Sequence, residues 1–146
     1  MSNTPSNKYR VFVYGTLMKG ARNEHFMNGA KLISENAVTK EKSFLMLQFN
    51  SSSSPGKFSP GVKRGGQGHI QGEIYEVDKE GLDKLDALEQ NGVRYQREKI
   101  RMQDGSTAWM YVLIAKDQDS GQYDRIDFDP RTEIYSWKRE EPKLTR

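Results

Sequence analysis

The chain has no cysteine anywhere in its 146 residues. Disulfides, thiolate nucleophiles and cysteine-ligated zinc are therefore excluded, and any chemistry must come from carboxylates, hydroxyls, amines and backbone groups. Histidine is scarce too. His25 and His69 are the only two, far apart and in no HExxH-like spacing, so neither a metal nor a cofactor is expected. No charged-then-apolar leader opens the sequence, and no apolar run approaches the roughly 20 residues that cross a bilayer. The expectation is a soluble, cytoplasmic protein with no membrane partner. A bias to one sign of charge is also missing: 23 Lys and Arg against 20 Asp and Glu leave a net charge of +3, interspersed through most of the chain. The exception is NSSSSPGKFSPGVKRGGQGH, residues 50–69, which carries Lys57, Lys63 and Arg64 and no acid. It has neither the basic density nor the aromatic interleaving of a nucleic-acid reader, so no nucleic-acid partner is expected. A solvated loop or a weak attractor for a small anion fits it equally well.

What the chain does have, 34% hydrophobic and 10% aromatic residues, suits a single domain around one core. Residues 1–8 are too polar to bury anything and read as a disordered terminus, leaving residues 9–146 as the domain. YRVFVY, residues 9–14, reads as a buried strand that runs into Gly15-Thr16-Leu17. A glycine at a strand end permits unusual dihedrals and close approach, and can leave the next N–H groups pointing at an oxygen; a plain tight turn is the alternative. No GxGxxG or GKS/GKT pattern makes it a phosphate loop. A short irregular helix closed by Gly29 is expected over residues 18–29, then strands over 31–39 and 43–49. Residues 50–68 read as one long loop, with Pro60-Gly61-Val62 either plain surface or a ligand contact. IQGEIYEV, residues 70–77, alternates as a strand. Strands over 95–102 and 107–115 form a hairpin about Asp104-Gly105. In the charged remainder, Asp117 to Gly121 resembles the start of a calcium loop but lacks its frame and is read as a turn, and a short helix is expected over residues 132–138.

Between the strand of residues 70–77 and that hairpin lies DKEGLDKLDALEQNGVRYQR, residues 78–97. Asp78 suits an N-cap, Leu82, Leu85 and Leu88 form an apolar stripe, and Asn91-Gly92 ends the helix. Glu89 falls inside the stripe, whereas Asp83, Lys84, Asp86 and Gln90 lie on the other faces. A carboxylate on a core-seeking face is costly unless paired, hydrogen-bonded or protonated. Two readings follow: a general acid/base tuned toward neutrality by desolvation, or a helix-end glutamate that snorkels to water or pairs with Arg94 or Arg97.

Taken together and in order, VFVYGTL, GEIYEV, LDALEQNGVRYQRE and WMYVLI resemble the γ-glutamylcyclotransferase-like family, most closely its γ-glutamylamine cyclotransferase branch. The resemblance covers residues 9–115. It implies an α+β fold, a small mixed β-barrel with flanking helices. Tyr14, Gly15, Thr16 and Leu17 would bind substrate through the backbone, Glu89 would be the catalytic acid/base, Tyr95 and Tyr111 would line the pocket, and Arg97 would be structural. The implied substrate is a small γ-glutamyl compound, whose α-amine attacks its own γ-carbonyl to release 5-oxoproline and a free amine without metal or cofactor. The alternative on the same fold is a non-catalytic metabolite-binding or interaction protein. Neither the leaving amine nor the oligomeric state is legible.

Overall fold

The computed structural model describes residues 8–21, 23–50, 58–114 and 125–138. Their architecture is α+β: a mixed, seven-stranded sheet curled into a half-barrel, a separate two-stranded sheet and one α-helix. β1 (Lys8–Val13), β2 (Lys31–Val38), β5 (His69–Asp78), β6 (Tyr95–Arg101), β7 (Thr107–Leu113), β8 (Ile126–Asp129) and β9 (Ile134–Trp137) make the large sheet, in the order β6-β7-β1-β5-β9-β8 with β2 also on β5. β3 (Phe44–Asn50) and β4 (Phe58–Arg64) make the small one, and α1 is Lys79–Leu88.

β1 and β5 are the axis. β1 runs antiparallel to β5, with Val13 opposite Glu73, and parallel to β7 at Val11 and Phe12. Strands with neighbours on both sides and layers on both faces read as near-continuous apolar runs. Val11 and Phe12 are accordingly fully buried, and β5 is buried on both faces from Gly72 to Tyr75. The core continues through Ile70, Ile74, Leu82 and Met110. α1 starts where Asp78 Oδ1 accepts the Gly81 amide at 2.8 Å, the expected N-cap.

The structure departs from the sequence pattern in four places. Residues 58–64, read as loop, form β4, which pairs residue for residue with β3 from Asn50↔Phe58 to Phe44↔Arg64. Pro60 and Gly61 disguised it. A proline costs a central strand a ladder hydrogen bond but is tolerated where one side needs no donor, as in a two-stranded sheet. Residues 132–138, read as a short helix, contain β9, which the branched and aromatic run Ile134, Tyr135, Trp137 places beside His69 and Ile70 of β5. α1 ends at Leu88, not at Asn91-Gly92: Glu89 is its C-cap and Gln90 turns into the left-handed region at φ 53°. Leu88 consequently leaves the stripe and is 38% exposed, whereas Leu82 and Leu85 are buried. Of the helix expected over residues 18–29, a single 3₁₀ turn, Glu24–Met27, forms ahead of Gly29. The calcium-loop-like Asp117 to Gly121 lies outside the described residues.

Candidate active site

Four pieces of chain meet at the carboxyl end of β1. The turn Tyr14-Gly15-Thr16-Leu17 leaves β1 and is closed by a Met18 N–H to Gly15 O bond of 3.1 Å and an Asn23 N–H to Thr16 O bond of 2.8 Å. Asn23 Nδ2 also donates to Thr16 Oγ1 at 3.0 Å, which occupies the hydroxyl inside the turn. Among the described residues, no hydrogen bond takes up the amides of Thr16 and Leu17. Two adjacent backbone donors are thus left without a partner among the described residues.

Gly15 is required here for a reason other than dihedral freedom, since its φ is not in the left-handed region. A Cβ at this position would stand 2.3 Å from Pro60 Cγ. β4 therefore packs directly on the turn, and Pro60-Gly61-Val62 belongs to the wall of the site. Its backbone is hydrogen-bonded to two aromatic side chains. Tyr95 donates to Pro60 O at 3.2 Å, and the Val62 amide donates to Tyr14 Oη at 3.3 Å. Tyr14 in turn donates to Tyr111 O at 2.8 Å, joining β1, β4 and β7 through one phenol. Burial first, then Tyr95 and the Glu89 carboxyl, push Tyr14 well above the ordinary phenol range, so it stays neutral.

Glu89 closes the constellation from the end of α1. The residue is partly buried, and among the described residues its carboxyl accepts no hydrogen bond and forms no ion pair. Burial raises it from an ordinary 4.5 to about 7, opposed by the positive charge of Arg94. Desolvation disfavours the charged form, and a solitary nearby cation recovers only part of that loss. Such a carboxyl exchanges protons near neutrality, as a general base or acid must. Of the two arginines in the helix-end alternative, Arg97 pairs elsewhere, whereas Arg94 is the cation whose charge acts on Glu89.

Its partner is Asp86, which the helical wheel assigned to solvent. Asp86 is half-buried; its Oδ1 accepts the Tyr111 hydroxyl at 2.6 Å and lies 2.9 Å from Arg97 Nε. Arg97 also stacks on Trp109, 4.5 Å from the ring centroid. Burial, then Asp86, push the Tyr111 phenol far above its usual range. One signal for Asp86 was available in the sequence: positions i and i+3 share a helix side, so Asp86 belongs with Glu89.

The structure thus brings together Tyr14, Gly15, Tyr95, Tyr111 and Glu89, with Thr16 and Leu17 contributing backbone. The basic loop contributes less. Arg64 is committed to Glu98 at 2.8 Å and to Glu41 at 3.4 Å, which leaves it a poor attractor for an anion. Behind the turn, the fully buried Glu73 accepts the Lys19 amide at 2.8 Å and the Tyr75 hydroxyl at 3.2 Å, tying the end of the turn to β5. A separate cavity of about 280 Å³, bounded by Met18, Gln71, Gly72 and Trp137, includes neither Glu89 nor Tyr111. Among the described residues no group of three potential metal ligands converges, and no helix is long and apolar enough to cross a membrane.

A family model described as γ-glutamyl cyclotransferase, AIG2-like, matches residues 11–138. The chain is similar to a γ-glutamylcyclotransferase family protein of Citrobacter rodentium, 36% identical over 103 residues that cover 70% of this chain and 80% of the relative. It is also similar to a putative γ-glutamylcyclotransferase of Drosophila melanogaster, 37% identical over 115 residues, covering 71% and 69%. Among solved structures, an AIG2-like protein of Mus musculus shares the fold at a TM-score of 0.63 and 24% identity, covering 96% of this chain and 99% of that one.

Proposed function

Because the chain belongs to the γ-glutamyl cyclotransferase, AIG2-like family, we propose that it cyclises a small γ-glutamyl compound, releasing 5-oxoproline and the free amine, with Glu89 as the acid/base. The observation that carries the reading is the Glu89 carboxyl: without a protein partner among the described residues, raised to about 7 by burial, and close enough to Tyr14 and Tyr111 to act on both phenols.

The reaction needs little else. Nucleophile and electrophile belong to one molecule, so folding the substrate onto itself supplies much of the rate and no enzyme nucleophile is needed. Glu89 takes a proton from the α-ammonium, and the nitrogen lone pair attacks the γ-carbonyl carbon. The carbonyl π electrons move to oxygen, where the amides of Thr16 and Leu17 stabilise the oxyanion. As the oxyanion collapses, the bond to the leaving nitrogen breaks and that nitrogen takes the first proton back from Glu89; the restored carboxylate then accepts the second proton, carried by the positively charged ring nitrogen since the attack, leaving the neutral lactam and an amine. Acid and base are one group used in turn, which suits a carboxyl poised near neutral pH.

The experiment is 5-oxoproline release by the purified protein from a panel of γ-glutamyl amides, γ-glutamyl-ε-lysine included, with Glu89→Gln in parallel. Glutamine keeps the shape but cannot accept the proton, so turnover should fall by at least about 10²-fold with the fold intact. Equal activity in the variant removes Glu89 from this role. No product from any panel member with a well-folded protein transfers the assignment to metabolite binding on the same fold.

A further inference from the structure

A tyrosine hydroxyl carries one proton and two lone pairs, and where the proton goes decides what the oxygen can offer a ligand. At Tyr111 it goes to Asp86 Oδ1, at 2.6 Å, a charge-assisted bond at the short end of its class. The carboxylate cannot return a proton, so the remaining capacity of the Tyr111 oxygen is as an acceptor. Its position follows from the helix: Asp86 stands three residues before Glu89, on the same side of the end of α1, and the Glu89 charge acts on the Tyr111 phenol. A second phenol is spent in the same sense, since Tyr14 donates to Tyr111 O and already accepts from the Val62 amide. The flank formed by Tyr111 beside Glu89 therefore offers acceptors, and the turn after β1 holds the Thr16 and Leu17 amides, which no hydrogen bond takes up among the described residues.

We propose that Asp86 is a positioning residue: by holding the Tyr111 proton it fixes the phenol oxygen as an acceptor, so that the oxygen and Glu89 together select ligands bearing a primary ammonium. This rests on the cyclotransferase reading and adds a specificity device to it. The α-ammonium of a γ-glutamyl group, seated between Tyr111 and Glu89, loses its proton to Glu89 while the γ-carbonyl faces the turn. A glutaryl amide of the same amine, lacking the α-ammonium, gains nothing from that flank. Arg97, the other partner of Asp86, stacks on Trp109 and, among the described residues, makes no hydrogen bond to the Tyr111 hydroxyl.

The test compares two ligands in several variants: kcat/KM for whichever γ-glutamyl amide the wild type turns over, and Ki for the glutaryl amide of the same amine. Asp86→Ala frees the phenol proton and should lower kcat/KM about tenfold, whereas the glutaryl Ki moves less than about twofold. Asp86→Asn keeps an oxygen that can accept from the phenol and should lose distinctly less. Tyr111→Phe removes the acceptor outright and should repeat the ligand-selective loss, which keeps the test open if Asp86→Ala fails to fold. Arg97→Gln should leave the ratio of the two constants unchanged. Parallel weakening of both ligands in Asp86→Ala and Tyr111→Phe overturns the assignment and makes the pair merely structural, even with an active wild type. A wild type that releases no 5-oxoproline overturns the cyclotransferase reading itself, and the selection with it.

Discussion

A glutamate at a helix end normally turns its carboxyl to water, and Glu89 departs from that because β1, β6 and β7 bring Tyr14, Tyr95 and Tyr111 to the same end of α1. The consequence for stability has a definite sign. The carboxyl sits at about 7 in the folded protein against an ordinary 4.5, so the folded state holds its proton more tightly than the unfolded chain does. This favours folding fully below about pH 4.5, fades between there and about pH 7, and is gone above. Glu89→Gln carries no such titration. Relative to wild type it should gain on the order of 1–3 kcal/mol above pH 7, discounted for the part of the side chain that meets solvent, and nothing near pH 4. Urea denaturation at the two pH values checks it, and an equal difference at both contradicts a desolvated carboxyl. Glu89 was legible because its polarity broke a periodic pattern. Asp86 reads as solvated, because an acid beside an apolar stripe looks so until its partner is known, and Tyr111 is 25 residues away; only its i, i+3 spacing to Glu89 points to this end of the helix.

At the scale of elements, legibility followed local contrast. The β1 strand, the helix N-cap at Asp78 and the β6–β7 hairpin declare themselves through branched runs, a capping side chain and an Asp-Gly turn. β4 and β9 exist for partners distant in sequence, and tertiary pairing overrode their weak local signals. The contact between β4 and the turn gives a sharp prediction. In Gly15→Ala the new Cβ meets Pro60 Cγ at 2.3 Å and Cδ at 2.8 Å, both parts of a rigid ring, so the change should cost about 1–3 kcal/mol as overpacking. Pro60→Ala removes both atoms and leaves a Cβ at 3.8 Å. The double variant should therefore recover most of the loss in a double-mutant cycle read by thermal unfolding. Additive losses would place the glycine requirement in the turn backbone instead of at the interface with β4.

For the whole molecule, the proposed site is a product of assembly: on this reading the turn after β1 would supply donors, β4 the wall, α1 Asp86 and Glu89, and the β6–β7 hairpin the tyrosines. Only α1 and the β6–β7 hairpin follow one another in sequence, so the chain could announce its parts by motif but not their distances. The central claim is that this assembly leaves one carboxyl to carry the proton of an intramolecular cyclisation. The most direct measurement is the pH dependence of kcat/KM for 5-oxoproline release set beside an NMR titration of the Glu89 carboxyl carbon in the free enzyme. Activity should rise with pH through a single ionisation whose midpoint coincides with that of the carboxyl, at about 7. A Glu89 carboxyl that titrates in the ordinary range near 4.5, or an activity midpoint that does not follow it, would contradict the account.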